Sequence, residues 1–250
     1  MSTGEEPWAL PPRRIRLEQG SLHVWRASLD MPATGLEGIA GLLSANEREQ
    51  CARFLRPRDR AQCVVARASL RIVLAKYIHE EPCALSITIG ASGKPSLASS
   101  TGIQFNISHA GDLTLIAVSL KMRVGIDLER IREVRDMDAI VHGFFGGQEQ
   151  AYLRACEGDG GERTRAFFLL WTRREAAAKA RGLGLFESFA RDTLPAFDYN
   201  RGGFRVELAP RGAPRGGSER WWIRDLVPAA GYAGALCVEQ ENAEPSFWRL

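Results

Sequence analysis

Hydrophobic positions along the chain follow two different spacings, and their succession predicts an α+β fold. Period-two alternation and short apolar runs predict strands at 22–27, 85–89, 104–108, 113–119, 124–129, 204–208, 220–225 and 232–239. Apolar residues spaced three or four apart predict long helices over 58–79 and 163–181, and shorter helices over 136–143 and 147–156. One long helix with a few strands is thus followed by helices and strands again.

Local signals mark where several of these elements begin and end. Ser44 and Glu47 form a capping box, so a further helix should begin at that point. Gly182 is a natural C-terminal stop for the helix over 163–181. Proline and glycine are frequent between 210 and 217, which predicts a flexible loop.

The strand at 124–129 carries two acids on one face. Asp127 and Glu129 are two residues apart, so they project in the same direction from an extended chain. Ile126 and Leu128 alternate with them and indicate that the opposite face is buried. An Asp-x-Glu pair of this kind is, by itself, equally typical of a solvated edge or of an ion-pair partner.

The helix over 163–181 carries an acid and a base on one stripe. Trp171, Glu175 and Lys179 are four apart, and the apolar run 167–171 indicates that the stripe begins in a core. Alone, the Glu and Lys would form a surface ion pair of roughly 0.3–0.5 kcal/mol. Packed against the acidic strand, they would gather three carboxylates and one ammonium, a ligand set that suits Mg²⁺.

Five segments in order resemble the motifs of one enzyme family. Gly-Ile-Asp-Leu-Glu at 125–129 and Trp-x-x-Arg-Glu-Ala-x-x-Lys at 171–179 resemble the paired motif of the 4′-phosphopantetheinyl transferases of the two-lobed, Sfp type. Gly-Lys-Pro at 93–95, Phe-Asn-Ile-Ser-His at 105–109 and Gly-Leu-Gly-Leu at 182–185 resemble three further family segments. The resemblance extends over roughly residues 40 to 240.

The resemblance implies an architecture and a reaction. The fold would be α+β and sandwich-like, with two similar lobes related by a pseudo-twofold axis, each a small antiparallel sheet packed with a long helix. Residues 1–124 would contact the nucleotide, 125–250 would carry the metal and catalytic residues, and the site would lie in the cleft. Family members transfer the 4′-phosphopantetheine of coenzyme A to a serine of an apo acyl or peptidyl carrier protein, leaving adenosine 3′,5′-bisphosphate.

The resemblance also implies roles at the reacting centre. Asp127, Glu129 and Glu175 match the family's metal ligands, for Mg²⁺ with Mn²⁺ as an alternative. Lys179 would contact the phosphates and stabilise or protonate the leaving group. Glu175 would accept the serine proton, either directly or through a metal-bound water.

A second set of residues is expected to bind coenzyme A. Lys94, Ser108 and His109 match family positions that bind phosphate or nucleotide, although an exposed turn lysine and a capped histidine are the alternatives. Arg67 and Arg71 lie four apart on one helix face, and Arg53 is a weaker candidate. For each arginine taken singly, a solvated basic face is an equal alternative.

Some positions depart from the family pattern. Arg174 stands where lysine is frequent, while Glu47 and Gln50 stand where relatives carry lysines that contact coenzyme A. These changes affect the expected nucleotide affinity rather than the reaction. For the carrier, the basic and apolar groups between the lobes offer a surface, with an exposed loop and two core phenylalanines as the alternative: Arg130, Arg132, Arg135, Phe144 and Phe145.

Composition narrows the cellular compartment and the classes of partner that are expected. The 250 residues, 45% hydrophobic, contain no run long enough to span a membrane, and the start lacks a secretory signal pattern. Five cysteines without a CxxC motif predict reduced thiols in a cytoplasmic protein: Cys51, Cys63, Cys83, Cys156 and Cys237. A net charge of +3 does not favour nucleic acid as a partner. A fused two-lobe chain completes its own cleft, so a monomer is expected.

Three other classes are alternatives. The first, a simple structural interaction domain, explains none of the five motifs, whereas the other two use the same residues. A metal-dependent phosphodiesterase or nuclease would use the acids but would also need a basic groove. A catalytically idle module that binds coenzyme A or carriers would have lost an acid or Lys179, and none is lost. The carrier class stays open among fatty-acid, polyketide, peptide-synthetase and lysine-biosynthesis carriers, as do the acyl groups tolerated on coenzyme A.

Overall fold

The computed structural model describes residues 4–90, 93–98, 101–156, 161–184, 194–197, 202–208, 218–239 and 244–250. Its strands are β1 Leu22–Ser28, β2 Ile87–Ile89, β3 Pro95–Leu97, β4 Ile103–Ala110, β5 Leu113–Leu120, β6 Val124–Arg130, β7 Phe204–Leu208, β8 Glu219–Leu226, β9 Tyr232–Val238 and β10 Pro245–Arg249. Its helices are α1 Ala33–Ala40, α2 Ala45–Ala52, α3 Pro57–Ile78, α4 Met137–Phe144, α5 Gly147–Ala155 and α6 Glu162–Arg181, with a 3₁₀ turn at Pro82–Ala84.

The strands form two four-stranded sheets and one short hairpin. The first sheet has the order β10-β1-β5-β4 and the second has the order β6-β9-β8-β7, while β2 pairs with β3. All pairs are antiparallel except β1 with β10. The α+β class predicted from the sequence is confirmed. The final strand β10 pairs with β1 at the edge of the first sheet. The division into lobes at residues 124 and 125 stays a prediction.

The core is arranged in layers of helix, sheet, sheet and helix. Strands of both sheets face one another through a shared apolar cluster that includes Val24, Leu115, Ile126 and Leu236. The outer face of the first sheet packs on α3, and the outer face of the second packs on α6. Because Ile126 faces the other sheet, its neighbours in sequence project towards α6.

Most element predictions are confirmed within a few residues, including the capping box at Ser44 and the left-handed stop at Gly182. The sequence reading missed α1, β3 and β10. Helix α1 is eight residues long, contains two glycines and buries none of its residues, so its sequence favours a helix only weakly. The loop predicted at 210–217 lies outside the described residues. No described helix has the length and apolar character needed to cross a bilayer.

One prediction about the cysteines is wrong. Cys51 at the end of α2 and Cys63 on α3 form a disulfide, with their Cα atoms 5.5 Å apart. The two helices pack against each other at these positions and bring together thiols that are 12 residues apart in the sequence. Cys83, Cys156 and Cys237 are free, as expected.

Candidate active site

The site is built where β6 crosses α6 with almost no space between their backbones. A Cβ atom at Gly125 would lie 2.1 Å from the carbonyl oxygen of Ala176 and 2.3 Å from the nitrogen of Ala180. Only glycine permits this approach. The glycine of the Gly-Ile-Asp-Leu-Glu segment therefore sets the depth at which the acidic face of β6 meets the helix.

Three elements contribute to a hydrogen-bonded cluster at this crossing. Lys179 on α6 donates from Nζ to Asp127 Oδ1 on β6 over 2.6 Å and to Ser108 Oγ on β4 over 3.1 Å. The Ser108 hydroxyl donates to the same Asp127 oxygen over 2.9 Å. Predicted site residues from both lobes are thus in direct contact.

Asp127 is almost completely buried, and only one of its two carboxyl oxygens accepts a hydrogen bond from a described residue. Its side chain is 4% exposed, and Oδ2 has no hydrogen-bond partner among the residues that the structure describes. Burial raises the pKa of Asp127 above its ordinary value, while Lys179 and then Ser108 act in the opposite direction. A buried carboxylate oxygen without a donor is costly unless a ligand supplies the missing contact.

Glu129 and Glu175 are half-buried, and the charge of Asp127 affects the pKa of both. Burial, and next the charge of Asp127, raise the pKa of each to about 7. Three carboxyl groups therefore lie near the ammonium of Lys179, and Arg132 acts on Glu129 as a further positive charge. Because the pKa values are raised, a bound cation would stabilise the ionised forms of these acids.

The residues fit a hard divalent cation in chemistry, without forming a finished coordination site. Carboxylate oxygens are the donors that Mg²⁺ prefers, and the unpartnered Asp127 Oδ2 is a free ligand atom. Within the described ranges, no group of three His, Cys, Asp or Glu side chains is close enough together to hold a metal. The ligand set Asp127, Glu129 and Glu175 accordingly stays a prediction.

A cavity of about 660 Å³ opens beside this cluster, between α2, α3, β4, the turn before β3 and the end of α6. Four of the residues predicted to bind coenzyme A line it: Arg67, Lys94, His109 and Lys179. His109 lies at the surface of the cavity. Desolvation by the cavity walls, and then the positive charges of Lys179 and Arg67, hold its pKa below the ordinary value. Lys179 and Arg67 thus bring positive charge to this part of the cavity, which suits an anion.

Arg71 and Arg53, the other two arginines of the prediction, do not line the cavity. Arg71 is 2% exposed and donates from Nε to Glu47 over 2.8 Å and from Nη1 to two backbone carbonyls. Glu47 is therefore a buried partner for Arg71, as well as the residue that completes the cap of α2. Arg53 is exposed at the end of α2, and Gln50 alone of the two departures from lysine lines the cavity.

Lys94 lines the cavity wall, but its ammonium is bound to the backbone. It donates to the carbonyl of Val124 over 2.9 Å, to that of Lys179 over 2.8 Å, and more weakly to Ala180 over 3.5 Å. Burial lowers the pKa of Lys94 to about 8. Its predicted contact with the nucleotide stays a prediction.

Arg174, the other departure from the family pattern, is 1% exposed and forms a buried ion pair with Glu149 on α5. This fork joins two helices rather than facing the cavity. In the segment proposed for the carrier, Arg130, Arg132 and Arg135 are exposed. Phe145 is a core residue packed with Phe167, whereas Phe144 is half-buried, so one of the two phenylalanines is a core residue as in the alternative.

Several residues at the site were not singled out by the sequence analysis. Asp59 and Gln62 lie on the stripe of α3 that also carries Arg67, and this stripe faces the cavity. Arg67 was predicted from its charge, whereas Asp59 and Gln62 carry no comparable signal. Asn106 was quoted within a motif but given no role, although it is buried and accepts a hydrogen bond from the amide of Ile126 over 2.9 Å.

The fold combines two sheets, each packed on a long helix, and the site places buried carboxyl groups beside a cavity lined by basic side chains. The family model of the 4′-phosphopantetheinyl transferase superfamily matches residues 123–237, and the model described as 4′-phosphopantetheinyl transferase, N-terminal, matches residues 30–121. The chain is 30% identical over 252 residues to 4′-phosphopantetheinyl transferase HetI of Nostoc sp., covering 98% of both chains. It belongs to the 4′-phosphopantetheinyl transferase superfamily.

Relatives from Bacillus subtilis are similar over slightly shorter spans. One 4′-phosphopantetheinyl transferase is 28% identical over 228 residues, which is 90% of this chain and 94% of the relative. The 4′-phosphopantetheinyl transferase Sfp of strain 168 is 26% identical over 211 residues, which is 84% of this chain and 87% of the relative. Both lobes therefore take part in the similarity.

Proposed function

We propose that this protein transfers the 4′-phosphopantetheine arm of coenzyme A to a serine hydroxyl of an apo acyl or peptidyl carrier protein. Adenosine 3′,5′-bisphosphate is the second product. The observation that carries the proposal is the contact between Lys179 and Asp127 at the edge of a cavity of about 660 Å³, a size in the usual range for small-molecule sites.

In the reaction, the serine oxygen attacks the phosphorus that bears the pantetheine arm. The bond from that phosphorus to the bridging oxygen of the pyrophosphate breaks, and the bridging oxygen leaves with the nucleotide. Negative charge develops on the leaving phosphate, so a fixed cation near it lowers the barrier. Lys179 supplies that cation because it lines the cavity. Its ammonium can also protonate the leaving oxygen.

The serine proton needs an acceptor, and Glu175 is the residue for this role. It lies one helical turn before Lys179 on the same stripe of α6. A carboxyl group with a pKa of about 7 is about half ionised at neutral pH and is a stronger base than an ordinary carboxylate. Glu175 takes the proton either directly or through a water molecule.

A divalent cation would be held by Asp127, Glu129 and Glu175. Mg²⁺ suits these oxygens, with Mn²⁺ as an alternative, and when bound it would neutralise charge on the pyrophosphate. Arg67 and His109 line the cavity beside Lys179 and would bind the other phosphate of coenzyme A. Ser108 holds Asp127 and Lys179 in place from the first lobe.

The same proposal has the protein acting as a cytoplasmic monomer, since one chain supplies both sides of the cavity. Disulfides are rare in that compartment. The state of Cys51 and Cys63 in protein alkylated during cell lysis therefore tests the location. A largely alkylated pair agrees with a reducing compartment, whereas a fully protected disulfide contradicts it.

Intact-mass analysis of apo carrier proteins incubated with the enzyme, coenzyme A and Mg²⁺ tests the function. A gain of one phosphopantetheine is expected, and both EDTA and Glu175→Gln should abolish it. Glu162→Gln, an exposed change in the first turn of the same helix, is the matched control and should stay active. No gain on any carrier of a broad panel, with coenzyme A binding intact, would instead indicate the idle binding module.

A further inference from the structure

We propose that Lys94 and Asn106 form a latch between the lobes that positions β6 and α6, and that Lys94 supports the reaction through this latch rather than by binding coenzyme A. The term latch refers to these two side chains only. The inference rests on the proposed function for its kinetic part, whereas its structural part is independent of any substrate.

Lys94 joins the first lobe to both elements that carry the reacting groups. Its ammonium comes from the turn before β3 and reaches the carbonyl at the start of β6 and two carbonyls in the last turn of α6. Carbonyls in a last helical turn lie at the negative end of the helix dipole. The Lys179 carbonyl also accepts the amide of Gly182 over 3.3 Å. The ammonium of Lys94 adds a second donor to it and, from the first lobe, supplies the carbonyl of Val124.

The hydrogen-bonding capacity of Lys94 is already used in these contacts. An ammonium has three N–H donors, and the three acceptors are all backbone oxygens. Moving the group to a phosphate would leave the carbonyls of Val124 and Lys179 without it. Lys179 differs in this respect, because its partners are the side chains of the site itself.

Asn106 makes the second connection, across two sheet edges. Strand β4 ends the first sheet and β6 ends the second, so each has one edge without a neighbouring strand in its own sheet. Asn106 on β4 accepts the amide of Ile126 on β6 over 2.9 Å, in place of a ladder bond. Asn106 is 4% exposed, so this bond is shielded from water.

The latch fixes a contact that the proposed reaction needs. Ser108 lies two residues beyond Asn106 on β4, and Asp127 follows Ile126 on β6. A shift of β6 along β4 would therefore separate the Ser108 hydroxyl from Asp127, which are now 2.9 Å apart. Displacements of about 1 Å near reacting groups cost on the order of 100-fold in rate.

The experiment compares Lys94→Met and Asn106→Ala with wild type, with Lys76→Met as a matched control at an exposed position of α3. Amide hydrogen exchange is measured at β6 and the end of α6, and kcat and KM for coenzyme A are measured on one apo carrier. We expect Ile126 to exchange about tenfold faster in both variants. We also expect kcat to fall about 10- to 100-fold, with KM for coenzyme A changed less than about threefold.

A KM raised more than about tenfold, with kcat and exchange unchanged in Lys94→Met, would overturn the proposal and make Lys94 a ligand of coenzyme A. Lys94→Arg keeps a donor cation and controls for the possibility that Lys94→Met does not fold. This variant should restore part of kcat. If wild type modifies no carrier, exchange still tests the latch: fast exchange of Ile126 in wild type would contradict it, while protection lost in both variants would support it.

Discussion

The close crossing at Gly125 gives the sharpest stability prediction, because the atoms that a side chain would meet are all backbone. A Cβ at this position would lie 2.1 Å from the Ala176 oxygen, whereas ordinary contacts begin near 3.4 Å. In Gly125→Ala, β6 must therefore retreat by about 1 Å. Overpacking of this kind costs about 1–3 kcal/mol, and the upper end applies because no rotamer change can relieve a backbone clash.

This energy converts into measurable changes. For a chain of this size, about 3 kcal/mol corresponds to a fall in Tm of about 6–12 °C. Activity should fall on the order of 100-fold as well, because the retreat separates Asp127 from Lys179. Thermal denaturation and the mass assay for carrier modification measure the two effects.

Gly143→Ala is the matched control for this prediction. Gly143 lies in α4, and a Cβ there would meet no atom within 4 Å. Its Tm should be unchanged or slightly higher, since alanine is the better helix former by about 1 kcal/mol. A Gly125→Ala protein with wild-type Tm and activity would refute the argument that this glycine sets the spacing of the site.

Three further predictions concern groups away from the reacting centre. Burial lowers the pKa of His23 from 6.5 to about 4, so its contribution to stability is complete above pH 6.5 and is lost as the pH falls towards 4. Urea titrations should show about 2 kcal/mol of this loss by pH 5, and an unchanged pH dependence in His23→Gln would contradict the assignment. Arg173→Met leaves the buried Asp225 without its partner and should cost about 3–5 kcal/mol in urea unfolding, with much of it regained in Arg173→Met/Asp225→Leu; a single variant as stable as wild type would argue against the pair. Arg67→Ala should raise KM for coenzyme A about tenfold or more, whereas Arg71→Leu should lower stability and leave that KM within about twofold; the reverse pattern would place Arg71, not Arg67, at the substrate.

The candidate acids and the candidate lysine could be picked out from the sequence because they follow local periods. Asp127 and Glu129 share a face at period two, and Glu175 and Lys179 share a stripe at a spacing of four. Each pair is fixed by the geometry of a single element. Their meeting depends on how β6 packs on α6, a close approach that Gly125 permits and that no local period reveals.

Residues whose partners are distant in sequence were not predictable in the same way. Arg71 and Glu47 are 24 positions apart, and the sequence does not distinguish a buried pair from a cationic face. The bond from Lys94 to the carbonyl of Lys179 spans 85 positions. A carbonyl acceptor carries no residue signature, so a lysine that binds backbone resembles a lysine that binds phosphate.

The last strand illustrates the same limit at the level of topology. Strand β10 lies parallel to β1, although more than 200 residues separate them in the chain. It has only five residues, and their pattern does not identify the strand with which they pair. Trp8 lies across Phe247 of this strand, an edge contact that helps to hold the end of the chain there.

The central claim is most directly tested by measuring both products in one reaction. Wild-type protein is incubated with coenzyme A, Mg²⁺ and an apo carrier, and released adenosine 3′,5′-bisphosphate is quantified against phosphopantetheinylated carrier. The account predicts equimolar amounts, with neither product formed when the carrier serine is replaced by alanine. Release of nucleotide without carrier modification would contradict it and indicate a phosphodiesterase that uses the same acids.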